Sequence, residues 1–399
     1  MDLNFRHGFI PRVSEENYKA VDRCVGPADL FTQTQLDLPW AIIDGAWAAS
    51  SPELLDSLRQ YGTSTLVDTH SWRYRYAATF GVAKLATTSW SPSGPLAITD
   101  QAAVRRHVES SLQAQEALGA AAYLLPGWMP DTPTEDLRAA YELIYEAAST
   151  FNDIAPRPMV AFVGGHTKGP DQMRALLDSV PHFCSAIYVQ VSPIAPHKDG
   201  PAKLEALLAA YRHAAARGFQ VIAGHAGSIA PALKALGVDA ADAGLATGET
   251  FDRSNARRSK RDKRTDDTGA GGGRRSRMYV AEIGRSLDAS VIDRLLSVPG
   301  AAAEIRGCRL PCHRFRGDHV LDSAREHSLW ARVEESQRVI SLPSSMRATH
   351  ILERIKAQQS TLATINGALT AAGEAILDPK PLENHLTWIT RTVATRSAA

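Results

Sequence analysis

Short apolar runs alternate with segments of helical periodicity between Trp40 and about Glu249. Most of these runs are continuously apolar, which is typical of parallel strands that are covered on both faces. We interpret them as eight strands, at residues 40–44, 65–68, 83–87, 121–125, 159–164, 186–191, 220–224 and 242–246. Eight strands that alternate with helices predict a (β/α)8 TIM barrel of the α/β class. A doubly wound open sheet is the alternative that the spacing leaves open.

The composition of the chain changes after Asp252. Residues 253–277 contain ten Lys or Arg against three Asp, include a Gly-Gly-Gly run and lack large apolar residues. Such a segment cannot bury enough apolar surface to offset its ordering entropy, so we predict a disordered basic linker. Helical patterns dominate from Met278 onward. We therefore divide the chain into a catalytic barrel (1–252), this linker (253–277) and a helical C-terminal region (278–399).

The overall composition is that of an ordinary globular protein, and the net charge indicates no particular partner. The 399 residues are 44% hydrophobic, and 44 Lys plus Arg balance 43 Asp plus Glu. No apolar run approaches the roughly 20 residues that span a bilayer, and the first ten residues lack the apolar stretch of a signal peptide. The four cysteines, at 24, 184, 308 and 312, are too scattered for a disulfide framework. We expect a cytoplasmic protein with reduced thiols and no membrane partner.

Polar residues follow the apolar runs at nearly every predicted strand end. Asp44 and Asp68 end the first two runs, and Asp242 begins the last. Because the active sites of TIM barrels lie at the C-terminal ends of the strands, we predict a ligand or catalytic site at this rim. Asp44 is interpreted as the cap of the next helix or the partner of an arginine. The turn Gly224–Ser228 heads a predicted helix and could bind a phosphate through its backbone N–H groups.

Several segments resemble the tRNA-guanine transglycosylases. Residues 221–224, followed by Gly-Val-Asp-Ala-Ala-Asp at 237–242, are similar to the seventh and eighth strands of that family. The segment LVDTHSWRY (66–74) falls where the family has an Asp-Ser-Gly-Gly motif. The resemblance runs in the same order over about residues 40–360. It suggests a divergent member, and the branch that inserts 7-deazaguanines into DNA fits as well as the tRNA enzymes.

The resemblance implies an enzyme that replaces guanine with a 7-deazaguanine-type base in tRNA or DNA. Asp242 would attack the anomeric carbon of the sugar and hold it covalently, while Asp68 would act as general acid and base. In a closed barrel with the predicted strands, only one strand would separate these two residues. We expect the other substrate-binding residues to be His70, Trp72, Trp128, Gln190, Gly224 and His225.

The C-terminal region resembles the zinc-bearing subdomain of the same family. Its three-cysteine pattern is reduced here to Cys308 and Cys312, so His327 or His350 would have to help complete a zinc site of about four ligands. Two reduced structural thiols are the alternative. The family also has Gly-Gly where this chain has His70-Ser71, and its Phe-Asp-Glu is replaced by residues 126–128, Pro-Gly-Trp.

The predicted partners are a nucleic acid and a free purine-type base, and we also expect a homodimer. Cations of the linker would bind phosphates without reading sequence; they are Arg257, Arg258, Lys260, Arg261, Lys263 and Arg264. Two other functions remain open. One is a barrel enzyme that binds a phosphate or a flavin and acts on a small metabolite. The other is a catalytically inactive relative that binds nucleic acid.

Overall fold

A parallel barrel forms the centre of the computed structural model, which describes residues 3–5, 8–26, 35–130, 134–167, 169–196, 198–245, 251, 254, 277–306 and 323–398. Its eight strands lie in the order β3-β2-β1-β8-β7-β6-β5-β4. They are β1 (Gly8–Val13), β2 (Trp40–Asp44), β3 (Ser64–Asp68), β4 (Tyr123–Leu124), β5 (Met159–His166), β6 (Cys184–Ser192), β7 (Gln220–Ala223) and β8 (Ala240–Ala243). A parallel bridge between Leu66 and Ala122 joins the two ends of this order, so the predicted TIM barrel is confirmed over the open sheet.

One predicted strand was wrong and one strand was missed. Residues 83–87 form a short helix, Ala83–Ala86, because Ala, Lys and Leu favour helix. The barrel instead begins with β1, whose apolar run is interrupted by Pro11 and Arg12 and therefore lacked a strand pattern. Asp68 and Asp242 thus lie on β3 and β8, with two strands between them rather than one.

Helices cover the outside of the barrel between successive strands. They are α1 (Tyr18–Val25), α2 (Gly45–Ser50), α3 (Glu53–Gln60), α4 (Ala83–Ala86), α5 (Gln101–Ala117), α6 (Thr134–Ile154), α7 (Pro170–Asp178), α8 (Pro201–Ala216) and α9 (Ala230–Ala235). Alternate residues of each strand face the interior and this helical layer. In β1, Ile10 packs in the central core, whereas Phe9 and Val13 pack with α1 and α3. The alternation therefore directs Arg12, two residues after Ile10, into the barrel.

The C-terminal region is helical, as predicted. After the antiparallel pair β9 (Arg277–Val280) and β10 (Arg285–Asp288) come α10 (Ala289–Ser297), α11 (Pro299–Arg306), α12 (Ala324–Ser341), α13 (Ser344–Ala371) and α14 (Lys380–Ala398). Helix α12 packs on β1 and α9, and its buried Arg332 donates a hydrogen bond to the Gly227 carbonyl at 2.9 Å. Of the predicted linker, residues 255–276 lie outside the described residues, and Arg277 begins β9. None of the described helices is both long and apolar enough to cross a membrane.

Candidate active site

One arginine joins the two aspartates that the sequence singles out. Arg12 Nη2 forms an ion pair with Asp68 Oδ2, and Arg12 Nη1 lies 2.8 Å from Asp242 Oδ2. Arg12 Nη1 also donates to the Tyr188 hydroxyl at 2.8 Å. We call these four residues the Arg12 cluster. Because β1 lies between β2 and β8, an arginine near its C-terminal end can reach carboxylates on both sides.

Asp242 is fully enclosed within the Arg12 cluster. Its side chain has no solvent exposure, the Tyr188 hydroxyl lies 3.3 Å from each carboxylate oxygen, and the His225 backbone N–H donates to Oδ1. Burial raises the pKa of Tyr188 well above its ordinary value, so this hydroxyl keeps its proton and can donate it in a hydrogen bond. Directional donors and one cation therefore orient the Asp242 carboxylate.

His70 extends the cluster toward Asp44. Its Nε2 lies 3.2 Å from Asp44 Oδ2, its Nδ1 lies 3.4 Å from Asp68 Oδ2, and its backbone N–H donates to Asp68 Oδ1 at 2.8 Å. Asp44 also caps α2 through the Trp47 N–H at 3.1 Å, which confirms the structural role predicted for it. The imidazole thus stands between two carboxylates and can carry a proton between them.

The charges around His70 and Asp68 shift the pKa values of these two side chains. Burial opposes ionisation of Asp68, but His70 and Arg12 outweigh it and lower the pKa of this carboxyl. Burial likewise opposes protonation of His70, and Arg73 adds to that effect, yet the charges of Asp68 and Asp44 raise the pKa of the imidazole. The resting site therefore pairs an ionised Asp68 with a protonated His70.

A pH-dependent stability follows from His70. Because its pKa is raised in the folded state, its ion pairs stabilise the fold below the ordinary histidine pKa of about 6.5 and are lost as pH rises through the folded value. We expect the difference in unfolding free energy between the wild type and His70→Gln to shrink steadily from pH 6 to pH 9. Urea denaturation measures it, with the exposed His182→Gln as control. A pH-independent difference for His70→Gln would contradict the ion pairing.

The buried polar atoms at the rim that have no hydrogen-bond partner among the described residues include one donor and one acceptor of predicted substrate-binding residues. These two atoms are Trp72 Nε1, a donor, and Gln190 Oε1, an acceptor. Trp72 also borders a small cavity beside Asp68, lined by Leu125, Gly127 and other residues, which has room for about one water molecule. Leaving such groups unpaired costs free energy, so they are groups that a polar ligand can satisfy.

The turn after β7 is shaped by a close approach of two strands. A Cβ at Gly224 would lie 2.7 Å from the Tyr188 hydroxyl and 3.0 Å from the Val189 carbonyl oxygen. The next residue, His225, adopts a left-handed conformation with φ 54°, as does His70 with φ 53°. Such conformations are uncommon outside glycine and cluster at functional sites. Gly224 thus permits the approach of Tyr188 to Asp242, and its role in substrate binding stays a prediction.

Gly224→Ala tests this approach. The added methyl group must displace the Tyr188 hydroxyl, and overpacking of this kind costs about 1–3 kcal/mol of stability. We expect chemical denaturation to show this loss of stability, and we expect a weaker hydrogen bond between Tyr188 and Asp242. Gly81→Ala is the control, because a Cβ there meets nothing within 4 Å. Equal stabilities of the two variants would show that the turn is not tightly packed.

The remaining predicted site residues divide into three groups. Trp128 is fully buried and stacks on His107, with 6.0 Å between ring centroids, and its role in substrate binding stays a prediction. His327 is buried in α12, while Cys308 and Cys312 lie outside the described residues. The nucleic-acid-binding residues lie outside them too; they are Arg257, Arg258, Lys260, Arg261, Lys263 and Arg264. Among the described residues no three His, Cys, Asp or Glu side chains are grouped to hold a metal.

Sequence reasoning missed Arg12, Tyr188 and Phe251. Arg12 could have been noticed as a charge inside the apolar run GFIPRV, which needs a buried counter-charge. Tyr188 stands in the continuous apolar run of β6, where nothing distinguishes it from a core residue. Phe251 stacks on His225 and meets the edge of Trp72, at 5.0 Å between ring centroids in both pairs. Only the fold brings these three to the rim.

No protein-family model and no curated protein matches the chain. Among solved structures it is similar to thiamine phosphate pyrophosphorylase from Pyrococcus furiosus, at 12% identity and a TM-score of 0.30, over 66% of this chain and 99% of that one. It is also similar to dihydrodipicolinate synthase from Oceanobacillus iheyensis, at 10% identity and a TM-score of 0.35, over 98% and 97%. Likenesses this distant carry no argument about the chemistry of this chain.

Proposed function

We propose that the protein is an enzyme that exchanges the base at a glycosidic bond of a nucleic acid through a covalent aspartyl intermediate. One observation carries the proposal: two buried carboxylates, Asp68 and Asp242, share the guanidinium of Arg12 at the C-terminal ends of the barrel strands. Enzymes that cleave glycosidic bonds use two carboxyl groups about 5–9 Å apart, on either side of the bond. Two carboxylates on one guanidinium are held at a comparably short separation.

Asp242 is the better nucleophile of the two. The Tyr188 hydroxyl and the His225 N–H orient its carboxylate, and such fixed donors hold a nucleophile in place. One oxygen of Asp242 would attack the anomeric carbon as the bond from that carbon to the base nitrogen breaks. The electrons of that bond go to the departing base. Attack by the nitrogen of an incoming base on the same carbon then breaks the bond to Asp242 and releases the carboxylate, so one base leaves and one base is attached.

The proton for the departing base would come from the pair of His70 and Asp68. Asp68 alone is ionised and cannot donate, but the His70 ring lies 3.4 Å from it and is protonated. The pair can give a proton to the leaving base and take one back from the incoming base, which is general acid and base catalysis. The predicted role of Asp68 is thus shared with His70, which the sequence suggested only as a substrate contact.

Arg12 must change partners during such a cycle. In the resting site its two nitrogens neutralise both carboxylates, so it would yield the Asp242 oxygen to the sugar and keep Asp68. The cation that remains nearby also stabilises negative charge on the departing base. No step is derived through zinc, because Cys308 and Cys312 lie outside the described residues.

The phosphate-binding alternative is not favoured by the geometry of the turn after β7. The N–H of Gly224 bonds the Val189 carbonyl, that of His225 bonds the Asp242 carboxylate, and that of Ala226 bonds the Asp242 carbonyl. Donors already used in this way cannot bind a phosphate without breaking the turn. Of the predicted turn, the Gly227 and Ser228 N–H groups are left to bind a flavin or sugar phosphate.

Base incorporation tests the proposal directly. The full chain is incubated with labelled guanine, or a labelled 7-deazaguanine-type base, and either total tRNA or duplex DNA. We expect label to enter one of the two polymers. Salt-sensitive binding without incorporation at any protein concentration would identify an inactive nucleic-acid-binding relative instead. Label that enters neither polymer, with no binding of either, would overturn the proposal.

A further inference from the structure

Phe251 lies across the axis of the barrel. Its ring stacks on His225, with an interplanar angle of 22°, and meets Trp72 at 85°. His225 follows β7 and Trp72 follows β3, and these strands are four places apart in a ring of eight, on opposite sides. A ring that contacts both must therefore stand over the centre of the mouth. Phe251 is only 8% exposed there.

The Arg12 cluster is closed against any substrate. Asp242 has no solvent exposure, and the cavity beside Asp68 holds no more than a water molecule. A sugar or a base cannot reach the Arg12 cluster unless a group of the mouth moves. In the described part of the chain, the backbone of Phe251 is joined to the barrel by one bridge to Ile194, with two hydrogen bonds of 2.8 Å.

The Phe251 ring leaves a polar neighbour without a partner. Trp72 Nε1, on one of the two rings that Phe251 contacts, stays buried without a described hydrogen-bond partner, and a phenyl ring offers it no acceptor. Gln190 Oε1, on β6, is a buried acceptor that likewise has no described partner. Trp72 and His225 provide two rings for contact with a planar group. A flat heterocycle with an acceptor on its edge would keep both ring contacts and satisfy Trp72 Nε1.

We infer that the Phe251 side chain occupies the subsite of a planar heteroaromatic base and leaves it when that base binds. The position of the subsite follows from the ring contacts, whereas the class of ligand rests on the proposed function. Phe251 thereby competes with the base for the same contacts.

The test compares binding of free guanine to the full chain by titration calorimetry. Phe251→Ala is expected to bind guanine about tenfold more tightly than the wild type, the factor that corresponds to one competing aromatic pair. Phe251→Leu keeps more of the apolar volume and should give a smaller increase in guanine affinity. It replaces the alanine variant in the test if that variant unfolds. Phe183→Ala, at an exposed phenylalanine, is the matched control and should leave the affinity unchanged.

A second substitution identifies the polar edge of the subsite. Gln190→Met in the Phe251→Ala background should weaken guanine binding about tenfold, because it removes the buried acceptor. Unchanged or weaker binding by Phe251→Ala and Phe251→Leu would overturn the inference and make the ring part of the binding surface. Absence of guanine binding in all variants would overturn it as well.

The two proposals fail in different ways. Guanine that binds more tightly to Phe251→Ala but is never incorporated into tRNA or DNA would leave the subsite intact and refute base exchange. Incorporation by the wild type with no effect of Phe251→Ala on guanine affinity would refute the subsite alone.

Discussion

Asp242→Asn is expected to lower the rate of base incorporation by about 10³-fold or more, because removal of a covalent nucleophile costs at least this much. The amide has the shape of the carboxylate, so it still accepts hydrogen bonds from Tyr188 and the His225 N–H. It has no negative charge with which to attack the anomeric carbon. A denaturant-stable adduct between the protein and the nucleic acid, formed by the wild type, should be missing from the variant.

The control for this prediction is a similar change at a surface aspartate. Asp178 pairs with His213 on the outside of the barrel and is more than half exposed, so Asp178→Asn should keep both the adduct and the exchange. Guanine affinity should survive in Asp242→Asn, which separates loss of chemistry from loss of binding. An adduct that forms equally well in Asp242→Asn would remove this residue from the mechanism.

Arg12→Met is expected to lower the free energy of unfolding by about 3–5 kcal/mol. Methionine fills much of the volume of the arginine stem but leaves Asp68 and Asp242 buried without their shared counter-ion. The loss of unfolding free energy relative to the wild type is largest at neutral pH. As pH falls toward 4, the uncompensated carboxylates of the variant take up protons, and the variant gains stability. Asp68 in the wild type, whose pKa is lowered, stays ionised to lower pH, so the wild type gains less stability from protonation. The difference in unfolding free energy should therefore shrink on acidification.

A double-mutant cycle makes this prediction specific. Asp242→Asn removes one of the two unpaired charges, so Arg12→Met combined with it should be more stable than Arg12→Met alone. Arg105→Met is the matched control, since the Arg105 pair with Glu146 is largely exposed and such pairs contribute about 0–1 kcal/mol. If Arg12→Met is no less stable than Arg105→Met, the carboxylates are not held by the ion pairs described.

The resting state combines a stabilising and an inhibitory arrangement. Arg12 neutralises both carboxylates, so the fold protects a charged site that would otherwise be costly to keep in an apolar barrel, and Phe251 stacks on His225 beside this site. Substrate binding would have to break these contacts. Two left-handed histidines, on opposite sides of the mouth, flank the same site.

Most of the barrel could be predicted from the sequence because buried parallel strands leave a local signal. Continuous apolar runs gave the positions of β2, β3, β5, β6 and β7, and the glycine, proline and aspartate positions around them indicated where helices begin and end. Prediction from apolar runs missed β1, because Pro11 and Arg12 interrupt its run. It was also wrong at residues 83–87, because the four residues of this short helix resemble an apolar strand.

The sequence by itself determined the class of fold and the strand ends where Asp44 and Asp68 stand, since both depend on patterns a few residues long. It placed Asp242 at the start of its strand, whereas Asp242 is the third of the four residues of β8. Tertiary structure alone decided which groups meet these carboxylates. Arg12, Tyr188 and Phe251 come from distant parts of the chain, and closure of the barrel brings them together. Their charges and rings interact over a few ångströms, but the residues lie far apart in the sequence, so local sequence patterns do not show that they meet.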